Sequence, residues 1–222
     1  MTVSGAVVSR PYNDAQARAD IRQAFAEHLP TIQAFHELVY RQKHTWSTTR
    51  FEGVPILKLP QDLWTYHEWI HLLKPTLILE TGTAKGGSAL YFARQMAAWD
   101  GCVWTVDVEA HERPESDAII YWHGSSVDPV AIASAEALAA FSPRVMVVLD
   151  SCHETDHVLA ELDAYAKLVT RGQLLVVEDT NTPGPAEALK QWLPKHPEFQ
   201  PEILCERHLL SFSPSGWLRR VA

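Results

Sequence analysis

Leu77-Ile78-Leu79-Glu80-Thr81-Gly82-Thr83-Ala84-Lys85-Gly86-Gly87-Ser88 runs from apolar residues into an acidic one, then through a glycine-rich turn onto the helix-forming stretch Ala89 to Ala98. A buried strand that turns sharply into a helix leaves backbone N–H groups aimed above the sheet edge, and glycines let a ligand approach them closely. Glu80 would repel a diphosphate. It suits a ligand that carries a cation, such as the amino group and sulfonium of S-adenosylmethionine. A nicotinamide-binding turn would need Gly-x-Gly-x-x-Gly, and Gly82-Thr83-Ala84-Lys85-Gly86-Gly87 lacks the second of those glycines.

The pattern around this stretch alternates. Strand-like apolar runs are predicted at Leu77–Glu80, Val103–Asp107, Ile119–His123, Val145–Asp150 and Gln173–Glu178, with helices at Ser88–Ala98, Pro129–Phe141, Asp156–Val169 and Pro185–Leu193. Such alternation implies right-handed βαβ units and a parallel sheet covered on both faces. Phe199–Phe212 and Trp217–Val221 flank the turn sequence Ser213-Pro214-Ser215-Gly216, so the sheet is expected to close with an antiparallel hairpin. The expected fold is therefore α/β and Rossmann-like: a mostly parallel seven-stranded sheet of the class I methyltransferase kind, with a C-terminal antiparallel hairpin.

Upstream, residues 15–40 have helical spacing after a start near Asp14, with a break expected at Pro30. Gln42 to Pro60 is polar and irregular and reads as a cap over a site, contributing Trp46, Phe51 and Lys58; those aromatics could equally pack onto the sheet or onto another subunit. Asp62 is placed as the cap of a helix ending at Lys74-Pro75. Residues 1–60 thus read as a helical extension and substrate lid, and residues 61–222 as the catalytic domain. At 222 residues and 46% apolar composition the chain can bury one full core. Its net charge of −8 disfavours nucleic acid as a partner. No apolar run of about 18 residues is present to span a membrane, and Met1 to Asp20 lacks the apolar centre of a signal peptide. Cys102, Cys152 and Cys205 read as reduced thiols of a cytoplasmic protein.

In a doubly wound sheet, ligands bind beyond the carboxyl ends of the strands. Those ends carry Glu80 and Gly82, then Asp107, placed to accept hydrogen bonds from ribose hydroxyls, then Gly124-Ser125-Ser126, suited to the rim of an adenine. Asp150 and Glu178-Asp179 follow. Three converging carboxylates repel one another unless a cation lies among them, and such a set suits Mg²⁺. An ion there could hold a substrate hydroxyl and lower its pKa. His153, three residues after Asp150, is the candidate general base; a helix-start histidine with a structural hydrogen bond is the plainer alternative.

The same region spells His153-Glu154-Thr155-Asp156-His157, which matches the His-Glu-x-x-His of zinc metallopeptidases. It follows directly on a predicted buried strand rather than sitting within a helix, and it leaves the glycine turn unexplained. Cys152 as a nucleophile is disfavoured by the neighbouring carboxylate.

Lys58 to Tyr66, Glu80 to Ser88, Asp150-Ser151-Cys152-His153 with His157-Val158, and Val177-Glu178-Asp179 together resemble the cephalosporin hydroxylase family, which includes rhamnosyl O-methyltransferases; the resemblance extends from about Trp46 to the Gly216-Trp217-Leu218 turn. It implies a Mg²⁺- and S-adenosylmethionine-dependent O-methyltransferase, active on a hydroxyl of a small natural product or sugar. Metal ligation falls to Asp150, Glu178 and Asp179, and donor binding to Glu80, Gly82, Thr83, Ala84, Gly86, Ser88, Asp107, Ser125, Ser126 and Asp150, with His153 and Asp150 at the reacting centre. A homo-oligomer is expected. More distantly the chain is similar to catechol O-methyltransferases, which place a lysine where this chain has His153, and Asp-Asn where it has Glu178-Asp179. A metal-dependent hydroxylase is the alternative carried by the family's name; the usual iron triad there has two histidines and one carboxylate.

Overall fold

The computed structural model describes residues 15–222, so the expected helix start at Asp14 and most of the segment weighed as a signal peptide lie outside the described residues. Helix α1 spans Ala15–Arg41. A two-stranded hairpin, β1 (Arg50–Phe51) and β2 (Val54–Pro55), leads to α2 (Pro60–Leu73). The alternating region follows as β3 (Leu77–Thr81), α3 (Gly87–Met96), β4 (Cys102–Asp107), β5 (Ile119–His123), α4 (Pro129–Ala140), β6 (Val145–Leu149), α5 (Thr155–Tyr165), β7 (Leu174–Val177) and α6 (Pro183–Trp192). Strands β8 (Phe199–Pro201) and β9 (Trp217–Arg220) close the chain.

The main sheet has seven strands in the order β5-β4-β3-β6-β7-β9-β8. β3 to β7 are mutually parallel, and β9 pairs antiparallel with both β7 and β8. The order reverses at β3 and β6, so a crevice opens beyond the carboxyl ends of these two strands. Both are buried along their whole length because both faces are covered, β6 being apolar throughout and β3 up to Glu80. Leu77 and Leu79 pack towards α4, α5 and α6, with Val158, Leu162, Tyr165 and Trp192. Ile78 packs the other way, towards α2 and α3, with Tyr66, Trp69, Phe92 and Met96. Burying each such aliphatic side chain contributes about 1.5–3 kcal/mol.

Three expectations are corrected. Pro30 does not break α1, which runs through it; only Ile32 of that helix is buried, so no tight packing forces the chain to end there. Asp62 is not the cap of α2: the helix begins at Pro60 with Leu59 at its N-cap, and the Asp62 carboxylate accepts the Phe212 N–H at 3.0 Å. The turn at Ser213–Gly216 forms, the Gly216 N–H donating to the Ser213 carbonyl at 2.9 Å, but the strand expected to reach it from Phe199 is short. β8 ends at Pro201, and residues 202–216 make a long excursion back to the sheet's carboxyl edge, because side chains satisfy its backbone: Asp62 at Phe212, and Glu206 at the Ser215 N–H, 2.9 Å. Leu210 and Phe212 then pack on Leu59 as a small core of their own.

Candidate active site

The strand ends open on a cavity of about 490 Å³, within the usual range for small-ligand sites. Gly82, Thr83, Ala84, Ser88, Asp107, Ser125, Ser126, Asp150, His153 and Asp179 line it. Tyr40, Trp46, Ile56, Leu57 and Lys58 close it from the N-terminal side, and Phe212 from the C-terminal excursion. The Tyr40 and Trp46 rings stack at 6.0 Å between centroids, with Phe212 edge-on to both. Phe51, expected beside them, packs instead edge-on against Tyr91 of α3.

Each wall residue is held from the backbone outward. Gly82 has φ +86, and a Cβ there would lie 1.8 Å from the Asp150 carbonyl oxygen, so β3 and β6 can close on each other only with glycine. Asp107 accepts the Ala84 N–H at 2.7 Å and the Glu109 N–H at 2.9 Å, which fixes its carboxylate facing the turn. Gly86 starts α3 in the left-handed region and lies off the cavity wall. Glu80 also lies off the wall, fully buried beneath the turn. Its Oε2 accepts the Thr105 hydroxyl at 2.6 Å, while Oε1 makes no well-aligned hydrogen bond, the nearby Ser88 hydroxyl helping to favour the carboxyl's charged form. Burial pushes this carboxyl up to about 7. A buried carboxylate oxygen without a well-aligned hydrogen bond, next to a ligand cavity, suits a cationic group.

Asp150 follows β6, its N–H bonded to the Thr81 carbonyl at 3.0 Å. One ligand atom each from Asp150, His153 and Asp179 falls within a 4.8 Å cluster. His153 Nε2 lies 3.2 Å from Asp179 Oδ2 and 3.9 Å from Asp150 Oδ1. Asp150 first, then Asp179, raise the imidazole's pKa against the opposing effect of burial, although the shorter contact is the one to Asp179. Burial and the charges of Asp150 and Glu178 push Asp179 up to about 7, as expected where negative charge exceeds positive charge.

Lys58 was expected only in the lid, and it enters this cluster. Its ammonium is buried, 2.9 Å from Asp150 Oδ2 and 2.8 Å from Glu178 Oε1. Burial alone would lower its pKa, yet Asp150 and Glu178 hold it well above the ordinary lysine value. Lys58, followed by His153, correspondingly holds Asp150 below the usual carboxylate range despite burial. Glu178 therefore faces Lys58, and it also takes a short hydrogen bond from the Tyr66 hydroxyl; it is absent from the cluster of Asp150, His153 and Asp179. The sequence signal was a lysine between Leu57 and Leu59 in an otherwise apolar run. Such a residue more often snorkels to solvent.

The His-Glu-x-x-His match falls across a helix start, with His153 and Glu154 ahead of α5. His153 faces Asp150 and Asp179, whereas His157 Nε2 faces Ser126 and Ser151 at 3.0 and 3.2 Å. The two imidazoles serve different clusters, so this is not a zinc-binding helix. The acidic cluster holds one histidine and two carboxylates, the reverse of the iron triad.

The family described as rhamnosyl O-methyltransferase/CmcI matches residues 43–221. The chain belongs to that family. Among curated relatives, the rhamnosyl O-methyltransferase of Mycobacterium tuberculosis is 33% identical over 183 residues, covering 74% of each chain. That of Mycobacterium leprae is 30% identical over 209 residues, covering 85% of this chain and 90% of its own. Membership of the rhamnosyl O-methyltransferase/CmcI family makes this protein an O-methyltransferase. Its fold is that of cmcI solved with Mg and SAM, with a TM-score of 0.64 at 20% identity over 79% of this chain and 78% of that one. The cmcI apo-structure superposes with a TM-score of 0.63 at 21% identity, covering 79% and 77%. Among the described residues no helix is long and apolar enough to cross a membrane.

Proposed function

We propose that the chain transfers a methyl group from S-adenosylmethionine to a hydroxyl of a small natural product or sugar, with Mg²⁺ or a similar divalent ion. The observation that carries this reading is one cavity lined both by the glycine turn and by the Asp150–His153–Asp179 cluster. The residues fit both groups. For the donor, Gly82 leaves the turn open to close approach, the Asp107 carboxylate is preset for ribose hydroxyls, Ser125 and Ser126 line the base end, and Glu80 Oε1, without a well-aligned hydrogen bond, suits the ammonium. For the metal, Asp150 and Asp179 offer hard oxygens beside His153. Three carboxylates against the single Lys58 ammonium favour negative charge over positive in this cluster, an imbalance that a cation would relieve.

Bound there, the donor supplies an electrophilic methyl and the ion a Lewis acid that lowers the pKa of the acceptor hydroxyl. His153 takes the hydroxyl proton. Asp179 orients that imidazole and stabilises its charged form. Within the described part of the N-terminal extension Tyr40 and Trp46 act as the lid and, with Phe212, exclude water and hold the acceptor in line. A second groove, lined by Thr155, Thr182 and Glu187 and sharing Tyr40 and His153 with the first, offers the acceptor its way in. A cytoplasmic homo-oligomer completes the reading; α1 leaves Leu29, Phe35 and Leu38 exposed, and light scattering giving the mass of one chain would remove the oligomer.

Calorimetric titration of S-adenosylhomocysteine into metal-free protein tests the donor site, with micromolar or tighter binding expected. Heat of Mg²⁺ binding should vanish in Asp150→Ala. His153→Ala should lower kcat by about 10²–10⁴-fold with donor affinity nearly unchanged. Absence of donor binding would sink the reading, and wild-type turnover in His153→Ala would remove the base.

A further inference from the structure

His157, the second histidine of the His-Glu-x-x-His match, has no part in the chemistry above, yet it lines the cavity beside Ser126 and Ser151. Its Nε2 sits among three oxygens: Ser126 Oγ at 3.0 Å, Ser151 Oγ at 3.2 Å and Glu161 Oε1 at 3.5 Å. We propose that His157 is a positioning residue that forces the Ser126 hydroxyl to donate its hydrogen bond into the cavity, onto a ring nitrogen of the methyl donor's purine. This rests on the donor reading given above.

Proton bookkeeping leads there. Glu161 is 1% exposed, and as a carboxylate it only accepts; it takes the Ser151 hydroxyl proton at 2.6 Å. Ser151 therefore presents only lone pairs to His157. A bare Nε2 would face those lone pairs and a carboxylate oxygen together, so Nε2 must carry a hydrogen. Nε2–H then donates towards Ser126 Oγ as well as Ser151 Oγ. Having accepted from the imidazole, the Ser126 hydroxyl has its own hydrogen left for the cavity. The Ser126 backbone is pinned as well, its carbonyl accepting the Tyr165 hydroxyl at 2.6 Å. A hydroxyl that can otherwise donate or accept is thus fixed as a donor, the polarity that matches a purine ring nitrogen and not the exocyclic amine.

The test is calorimetric titration of S-adenosylhomocysteine and of its 1-deaza, 3-deaza and 7-deaza analogues into the full chain. One analogue should bind wild-type protein about 3- to 15-fold more weakly, the cost of one lost hydrogen bond. That deficit should disappear in Ser126→Ala and shrink in His157→Ala. Each variant should lose a similar factor towards the parent ligand, with the double variant no worse than Ser126→Ala alone. His157→Gln keeps an N–H donor and should restore much of the lost affinity. A loss of fold in His157→Ala would still leave the wild-type analogue series decisive. Equal binding of all three analogues and the parent to wild type would overturn the assignment, as would wild-type affinity in a folded His157→Ala. A wild-type chain that binds none of these ligands would instead overturn the donor reading, and this assignment with it.

Discussion

Asp62 lies buried in the first turn of α2, and burial together with the Glu178 charge pushes its carboxyl up to about 7. Its hydrogen bonds from Ser211 and the Phe212 N–H lower the pKa but do not compensate fully. A carboxyl whose folded pKa exceeds its unfolded value of about 3.9 binds its proton more tightly in the fold. Stability from this group is therefore fully present below about pH 4, falls as pH rises to about 7, and is flat above. Asp62→Asn keeps an oxygen for the Phe212 N–H and removes the charge. It should flatten this part of the profile, leaving the variant more stable than wild type at pH 8 relative to pH 5 by about 1–4 kcal/mol. Urea unfolding of both proteins at the two pH values measures it, and parallel profiles would dismiss Asp62 as the source. At this scale, what sequence shows depends on what the backbone already determines. Asp107, Asp150 and Asp179 were legible because they end a strand, directly follow one and stand two residues beyond one, each strand's direction aiming them at the crevice. Lys58, Tyr66 and Glu161 were not, because their partners lie 92, 112 and 10 residues away, in other elements or beyond a loop.

Elements were legible in proportion to how much of their stability is local. β3 to β7 and the helices between them follow from continuous apolar runs and helical spacing, and their observed limits differ from the expected ones by a few residues at most. Residues 202–216 could not be read so, since the partners that bend them away from a strand, Asp62 among them, are distant in sequence. α1 shows the opposite error: a local rule was applied where little opposes it. Pro30 removes one helical hydrogen bond, and within a helix it costs about 3 kcal/mol relative to alanine, yet α1 continues through it. That cost is borne by a helix with one buried side chain, so it should appear as easier local opening rather than as lower global stability. Pro30→Ala should slow amide exchange in the second half of α1 by tenfold or more while moving the global midpoint by only a few degrees. Hydrogen exchange read residue by residue checks this; unchanged protection in 31–41 would mean that tertiary contacts, not the helix itself, limit its opening.

Across the whole molecule, the segment ahead of α2 and the main sheet meet at buried charge. Lys58, in the link between the β1–β2 hairpin and α2, reaches Asp150 after β6 and Glu178 after β7, so one ammonium ties the extension to adjacent strand ends. Removing one partner of a buried ion pair costs about 3–5 kcal/mol, because the charge left behind is uncompensated. Lys58→Met keeps most of the apolar stem and deletes the charge, leaving Asp150, Glu178 and Asp179 to repel one another. Metal-free Lys58→Met should therefore unfold well below wild type, by about 5–15 °C for a chain of this size. Its carboxylates, relieved of a competing cation, should hold a divalent ion more tightly, so added Mg²⁺ should raise the midpoint of Lys58→Met by more than it raises that of wild type. Thermal unfolding of both proteins with and without Mg²⁺ separates the possibilities. A variant destabilised but unresponsive to Mg²⁺ would make Lys58 a packing residue that happens to be charged. A variant as stable as wild type would mean that the carboxylates shed their charge by taking up protons, with Asp179, already near 7, the first to do so.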